Sequence, residues 1–321
     1  MIAIAIATMI ICAVGVFIDI SVITVAPIAL AIGKKAGLSK SGVLLAMIGG
    51  GKAGNIVSPN PNTIAVSEAF EQPLTSVMMR NIIPALFALA ATILLASLLT
   101  RKKDDPITAK DLEGSDNQKL PGFFSAILGP LVVIILLALR PLFGISIDPL
   151  IALPVGGIVS VLVTGHVKHL VEYTEFGLSK VIGVSILLIG TGTIAGIIKA
   201  SALQTDVIKL LEAMHMPAFI LAPLSGVLMA GATASTTAGA TVAAQTFAEP
   251  LLAASVPALA AAAMIHAGAT VVDSLPHGSF FHATGGAVGM SISKRMKLIP
   301  FEALIGLTST VAAVVVYLIA G

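Results

Sequence analysis

Two polar stretches interrupt long apolar runs, and their residue types could bind a ligand or move a proton. The first is GGGKAGNIVSPNPNT, residues 49–63. Its glycines at 49–51 and 54 permit close backbone approach and unusual dihedral angles, and Pro59 and Pro61 prevent a continuous helix. Its amides and hydroxyls suit a polyhydroxylated ligand. We predict that this stretch forms half of a binding site, through Asn55, Ser58, Asn60, Asn62 and Thr63. The alternative is a kink whose polar side chains only satisfy the freed backbone groups.

The second stretch, GATVVDSLPHGS, covers residues 268–279 and contains Asp273, Ser274, His277 and Ser279. Ionisable groups in an apolar surrounding indicate function, and a histidine exchanges a proton near neutral pH. We predict that Asp273 and His277 carry a coupling proton and that the two serines bind substrate. The alternative is an Asp–His pair that only fixes the interruption.

Two further polar points lie within apolar runs. VFIDIS contains Asp19 and Ser21, and GATASTTAG contains Thr233, Ser235, Thr236 and Thr237. Both are predicted to contact substrate, with Asp19 as a further proton carrier, unless the second point only packs helices through small residues. For Lys52 three roles stay open: attracting an anionic substrate, pairing with Asp19 or Asp273, or extending toward the cytoplasm.

The composition requires a lipid environment. Of 321 residues, 57% are hydrophobic and 11% are charged, whereas soluble domains carry about 25% charged residues. The net charge of +2 gives no reason to expect a nucleic-acid partner. The single Cys12 excludes a disulfide within the chain, and with no compact His/Cys set we expect no metal and no cofactor.

The apolar runs predict an all-α, multi-spanning membrane protein. A bilayer-crossing helix needs about 20 residues, and runs of about this length cover 81–100, 122–139, 149–165, 181–198 and 298–320. Residues 42–72 and 257–290 are predicted to be broken spans. Residues 2–33 and 217–253 are predicted to be re-entrant hairpins, because exposed backbone groups survive at membrane depth only inside protein or beside a cavity.

Charge divides the chain and orients it. The polar segment 101–121 is predicted to be a cytoplasmic connector between a first repeat, 1–100, and a region of scaffold spans plus a second repeat, 122–321; residues 166–180 are predicted to form an amphipathic surface helix. With this topology one face collects most basic residues and is therefore cytoplasmic. These residues are Lys34, Lys35, Lys40, Arg101, Lys102, Lys103, Lys110, Lys119, Lys168, Lys180, Lys294, Arg295 and Lys297.

The two repeats share sequence at one offset. Residues 24–26, 46–48, 51 and 59 recur 217 positions later as 241–243, 263–265, 268 and 276. Under the predicted topology the two broken spans run in opposite directions. Inverted repeats with paired midplane interruptions are typical of secondary transporters.

The chain resembles the gluconate permease (gluconate:proton symporter) family of the ion transporter superfamily. The resemblance rests on VGVFIDISVITVAPIALAI, GGGKAGNIVSPNPNTIAV, ILLIGTGTIAGIIKASAL and the stretch from LMAGATASTTAG to DSLPHGSFF. It implies Asp19, Pro27, Pro59 and Pro61 as matching family positions. Family members carry a histidine near Pro59 and a His-Val-Asn-Asp-Pro-like run near 275, where this chain has Ser58, Asn60, Asn62 and DSLPHG.

The resemblance implies a proton-coupled symporter of a small organic anion, gluconate or a related hydroxy or keto acid. Transport of this anion would proceed by alternating access in the bacterial cytoplasmic (inner) membrane. Sodium is the alternative coupling ion, and the protein would act as a monomer or as a homo-oligomer. Relatives begin with additional spans, so we expect an N-terminally shortened chain. The alternatives are a membrane-embedded hydrolase using Ser274, His277 and Asp273, a channel, or a non-functional transporter fragment.

Overall fold

The computed structural model describes residues 1–100, 105–108, 111, 122–145, 147–213 and 215–320. The chain separates into two compact units, Met1–Ser115 with Thr191–Gly321, and Asp116–Gly190. Most of the predicted connector 101–121 lies outside the described residues. The predicted division into two repeats and a connector stays a prediction.

The first unit begins with six helices among its described residues, joined by short connections. They are α1 (Ile2–Ala13), α2 (Ile18–Lys35), α3 (Lys40–Asn55), α4 (Pro61–Ala69), α5 (Leu74–Arg80) and α6 (Ile82–Thr100).

The second unit contains α7 (Phe123–Phe143), α8 (Pro149–Val163) and most of α9 (Leu170–Ala200). Helices α7 and α8 pack closely at small residues, since a Cβ at Gly129 would lie 2.6 Å from the carbonyl oxygen of Gly156. The predicted surface helix 166–180 and the predicted span 181–198 form one helix after a 3-10 turn at Val167–His169. Because no proline separates the two segments, nothing in the sequence ends the helix between them.

The first unit then continues with seven helices among its described residues. They are α10 (Leu203–Ala213), α11 (Leu221–Thr233), α12 (Thr236–Ala253), α13 (Ala258–Gly268), α14 (Ser279–Ala287), α15 (Ile292–Met296) and α16 (Ile299–Ala320).

Helices α3 and α13 form the core of the first unit. Almost every residue of both is buried. The glycines of α3 lie at its crossings: a Cβ at Gly50 would lie 2.1 Å from the carbonyl oxygen of Ala5, and one at Gly54 would lie 2.3 Å from that of Met9. These glycines lie within a regular helix, so close approach to α1, rather than an unusual dihedral angle, explains them.

Apolar side chains cover much of the outer surface. Phe87 and Leu94 on α6 are 54% and 61% exposed, and Leu318 on α16 is 63% exposed. Among the described residues, two helical segments are long and apolar enough to cross a membrane by length and composition, Ile82–Thr100 and Ile292–Ala320. Other apolar helices, such as Ile2–Ala13 and Pro149–Val163, are shorter.

Candidate functional site

Both apolar stretches that contain the polar motifs are interrupted helices. The first break, residues 56–60, separates α3 from α4, and the second break, residues 269–278, separates α13 from α14. Pro61 is the first residue of α4, where its missing N–H costs nothing. The second break is longer and has Gly278 as the N-cap of α14.

Neutral side chains hold the first break together. Asn60 caps α4, because its Oδ1 accepts from the Thr63 N–H at 3.1 Å. The Asn60 amide donates to the backbone carbonyl of Asn55 at 2.9 Å and to its side-chain oxygen at 2.6 Å. Asn62 donates to the same side-chain oxygen at 3.1 Å, and the Thr63 hydroxyl donates to the Ser58 carbonyl at 2.7 Å. The motif therefore closes on itself as a hydrogen-bonded loop.

Two polar atoms of this loop have no protein partner. The Nδ2 of Asn55 and the hydroxyl of Ser58 are buried and make no hydrogen bond within the described residues. Buried polar groups without a partner are rare in folded proteins. These two atoms are therefore available to a ligand.

The connection between α11 and α12 reaches both breaks. Ala234 adopts a left-handed conformation with φ of 46°, and Ser235 caps α12 by accepting from the Ala238 N–H at 3.2 Å. We call residues 234–237 the second tip. The Thr236 hydroxyl donates to Oδ2 of Asp273 at 2.6 Å, and the Thr237 hydroxyl donates to Oδ1 of Asn62 at 2.5 Å. One hydroxyl thus binds the second break, and the adjacent hydroxyl binds the first turn of α4, directly after the first break.

Charges hold the second break. Asp273 is 2% exposed, and its carboxylate accepts from Lys52 Nζ at 2.6 Å and from the Ser274 hydroxyl at 2.9 Å. The Lys52 ammonium also donates to the Thr270 carbonyl at 2.5 Å. Of the three roles considered for Lys52, pairing with Asp273 is the one seen in the structure, and attraction of an anionic substrate stays a prediction. Extension toward the cytoplasm was wrong, because the Lys52 side chain is 1% exposed.

The start of α14 packs directly on the second tip. A Cβ at Gly278 would lie 2.4 Å from the carbonyl oxygen of Ala234. No side chain caps this helix, so its first N–H groups have no capping acceptor. Ser279 and His277 flank Gly278, and both are exposed.

Several predicted residues stay outside this network. Asp19 is partly exposed in the first turn of α2 and forms no ion pair within the described residues. Ser21 donates to the Phe17 carbonyl of its own helical turn. Thr233 donates to the Met229 carbonyl of its own turn and, at 3.3 Å, to the Ser235 carbonyl of the second tip, so it lies at the edge of the network. The considered Asp273–His277 pair is not formed, because Lys52, Thr236 and Ser274 surround the carboxylate instead.

The arrangement also bears on the hydrolase alternative. The Ser274 hydroxyl donates to Asp273, and within the described residues His277 makes no hydrogen bond to Ser274. A serine nucleophile requires a base within hydrogen-bonding reach. This geometry does not activate Ser274.

A second buried ion pair was missed by sequence reasoning. The Arg295 guanidinium binds both carboxylate oxygens of Glu302, donates to the Thr284 hydroxyl and lies 4.9 Å from the Phe281 ring centre. Arg295 was predicted to lie among the cytoplasmic basic residues, but its side chain is 1% exposed. Glu302, the one acidic residue of the run 298–320, was the available signal, since a lone buried carboxylate needs a partner.

Surface ion pairs lie apart from the breaks. Lys40 at the start of α3 pairs with Asp111 at 2.7 Å, and Lys294 on α15 pairs with Asp105 at 2.6 Å. Partial burial alone would raise the pKa of Asp111, but hydrogen bonds from Lys40 and Thr108 outweigh it and lower that pKa to about 2.

Comparison with known proteins identifies the family of the chain. Residues 1–320 match the family model described as "GntP family permease". An "Uncharacterized transporter" of Haemophilus influenzae is 55% identical over 317 residues, covering 99% of this chain and 75% of that protein. The D-serine transporter DsdX of Escherichia coli is 22% identical over 251 residues, covering 71% of this chain and 56% of DsdX.

Apolar helices with paired interruptions and buried charges are features of membrane transporters. By fold and family the protein is an integral membrane transporter. The chain belongs to the GntP permease family, as the resemblance indicated.

Proposed function

We propose that the protein is a secondary active symporter of a small organic anion, gluconate or a related hydroxy or keto acid. Transport is coupled to protons and proceeds by alternating access across the bacterial cytoplasmic membrane. One observation carries this proposal: the second tip is hydrogen-bonded to the second break through Thr236–Asp273 and to the first turn of α4, directly after the first break, through Thr237–Asn62. A movement of the second tip would therefore stretch or break its hydrogen bonds to the second break and to the start of α4.

The helix order supports an inverted repeat of hairpin, broken span and span. Helices α1 to α6 correspond in order to α11 to α16, and the starts of the paired helices are separated by 217 to 219 residues. Helix α12 packs on α4, and α2, its counterpart, packs on α14. Each proposed hairpin thus contacts the broken span of the other half. This exchange suits a carrier whose two halves move around one central site.

Helix N-termini supply the proposed anion site. The starts of α4, α12 and α14 all neighbour the second tip, and each carries partial positive charge. The uncapped first turn of α14 could bind a carboxylate. Asn55 Nδ2 and the Ser58 hydroxyl could bind substrate hydroxyls, and we assign supporting roles to the other predicted residues: Asp19, Ser21, Lys52, Asn60, Asn62, Thr63, Thr233, Ser235, Thr236, Thr237, Ser274 and Ser279.

The relatives widen the set of substrates to be tried. The DsdX relative is named for D-serine, a carboxylate with one hydroxyl and one amino group. Gluconate shares the carboxylate and the hydroxyl chemistry. A small hydroxylated carboxylate is therefore the substrate class that we propose.

For the coupling proton we propose Asp19, Asp273 and His277. Asp19 and His277 are reachable, because the first is partly exposed and the second is exposed. Asp273 is already neutralised by Lys52, so protonation of this carboxylate would release the lysine. The three groups therefore differ in what a proton would do to the surrounding structure.

Uptake into proteoliposomes tests the proposal. Purified protein is reconstituted, and radiolabelled gluconate, other hydroxy and keto acids and D-serine are offered with and without an inward proton gradient. Accumulation above the external concentration, abolished by a protonophore, is expected for at least one acid. Equilibration without accumulation would indicate a channel, and no uptake of any acid would contradict the proposed substrate class.

A further inference from the structure

The ammonium of Lys52 is held by three oxygen atoms from two segments, the second break and α16. It lies 2.5 Å from the Thr270 carbonyl, 2.6 Å from the Asp273 carboxylate and 3.5 Å from the Glu302 carbonyl. An ammonium has three N–H donors and no acceptor. These three acceptors therefore match its full donor set, although the third contact is long.

The two carbonyls distinguish this arrangement from a simple ion pair. Asp273 alone neutralises the charge of Lys52, so neither carbonyl is needed for charge balance. Thr270 lies just beyond the end of α13, where the helix dipole presents partial negative charge. Unwound backbone carbonyls and half-helix C-terminal ends are the groups with which interrupted transporter helices coordinate sodium ions, and Asp273 adds a carboxylate to them here.

The backbone is shaped for this approach. Gly306 on α16 lies against the second break, and a Cβ there would lie 2.4 Å from the Thr270 carbonyl oxygen and 2.6 Å from the Cα of Val271. Any larger residue would move either α16 or the break. The glycine therefore fixes the Thr270 carbonyl beside α16, the helix that supplies the Glu302 carbonyl.

We propose that the Lys52 ammonium is a tethered cation occupying a monovalent-cation site formed by Thr270, Asp273 and Glu302. The carrier accordingly uses no sodium ion at this position. This inference deepens the proposed function, since it concerns the coupling ion. Its site, however, can be tested without any transport measurement.

Removal of the lysine side chain should open the site to a free cation. We expect sodium to raise the melting temperature of purified Lys52→Ala by at least about 2 °C over choline at equal ionic strength, the effect of one bound stabilising ion. The wild-type melting temperature should be the same in both salts. Lys52→Met is the matched control, because its side chain fills the volume of the lysine and leaves no room for an ion.

A second control tests the ligands. In Lys52→Ala/Asp273→Asn the sodium response should disappear, because the charged oxygen ligand is gone. The inference is overturned by a wild-type protein that sodium stabilises equally, or by a Lys52→Ala protein that is indifferent to sodium or unfolded in both salts. Because melting needs no substrate, these results stand apart from the uptake assay, whose failure would reject the proposed function alone.

Discussion

The two helix breaks differ in the side chains that hold them together: neutral side chains hold the first break, and charged side chains hold the second. The first break is closed by amides and hydroxyls, with Asn60 and Asn55 at its centre. The second is closed by a buried ion pair, Lys52 with Asp273. Both interrupt a helix in an apolar surrounding, where an unpaired backbone group is costly.

Because of this difference, we expect the two breaks to respond differently to pH, to salt and to the removal of a side chain. A neutral network keeps its hydrogen bonds over a wide range of pH and salt, so it suits a fixed binding surface. A buried ion pair responds strongly when one partner is removed, because the other charge is then uncompensated. We therefore expect ions to act mainly on the Lys52–Asp273 pair of the second break, and substrate hydroxyls to act mainly on the first break.

The largest effect is expected for Asp273→Asn. It leaves the Lys52 ammonium buried without its counter-charge, which costs about 3–5 kcal/mol of unfolding free energy. Thermal unfolding in detergent measures the loss, and uptake should be abolished. Lys52→Met/Asp273→Asn should lose less stability than the two single variants together. Simple additivity would show that the pair does not hold the second break.

A smaller effect is expected for Gly278→Ala, which tests the packing of the second tip on α14. The added Cβ would meet the Ala234 backbone at 2.4 Å, and such overpacking costs about 1–3 kcal/mol. Gly286→Ala on the same helix is the control, because its Cβ would meet nothing within 4 Å. Equal unfolding temperatures and equal uptake rates for the two variants would contradict this role of the second tip.

Next in size is Asn60→Ala in the first break. It removes the cap of α4 and the bonds to Asn55, and loss of a cap costs about 1 kcal/mol. Substrate KM should rise, as measured by uptake kinetics. Ser39→Ala removes the cap of α3, whose side chain accepts from the Gly42 N–H, and it should cost similar stability without raising KM. A KM increase of the same size in both variants would remove the distinction between the first break and an ordinary helix start.

The smallest effect is expected at the partly buried pair Lys40–Asp111, whose side chains are 10% and 13% exposed, a reference for the fully buried pair. Its lowered pKa means that this carboxylate contributes stability fully above its ordinary value of 3.8, and that the contribution is lost as pH falls through about 2. The advantage of the wild type over Asp111→Asn should be below about 1 kcal/mol and shrink with added salt. Unfolding midpoints across this pH range measure it. An advantage that persists unchanged below pH 2 would assign it to something other than charge.

Local sequence signals predicted where the helices break, but they did not predict which side chains bind one another. Pro61 with Asn60 indicates a helix start, and the observed α4 begins there. The paired role of Lys52 stayed open among three choices, because its spacing to Asp273 carries no information about distance in space. Arg295 was placed on the cytoplasmic face from the predicted topology of the spans, and its burial against Glu302 depends on packing that the segment itself does not reveal.

Composition and local pattern were enough to predict a helical chain that is embedded in lipid and whose apolar helices are broken within the polar stretches 49–63 and 268–279. Apolar composition and the backbone limits of proline and glycine act locally, so they can be read without a fold. Tertiary structure decided which polar groups meet. The Thr237–Asn62 and Lys52–Asp273 contacts join residues 175 and 221 positions apart, and helix packing alone sets such distances.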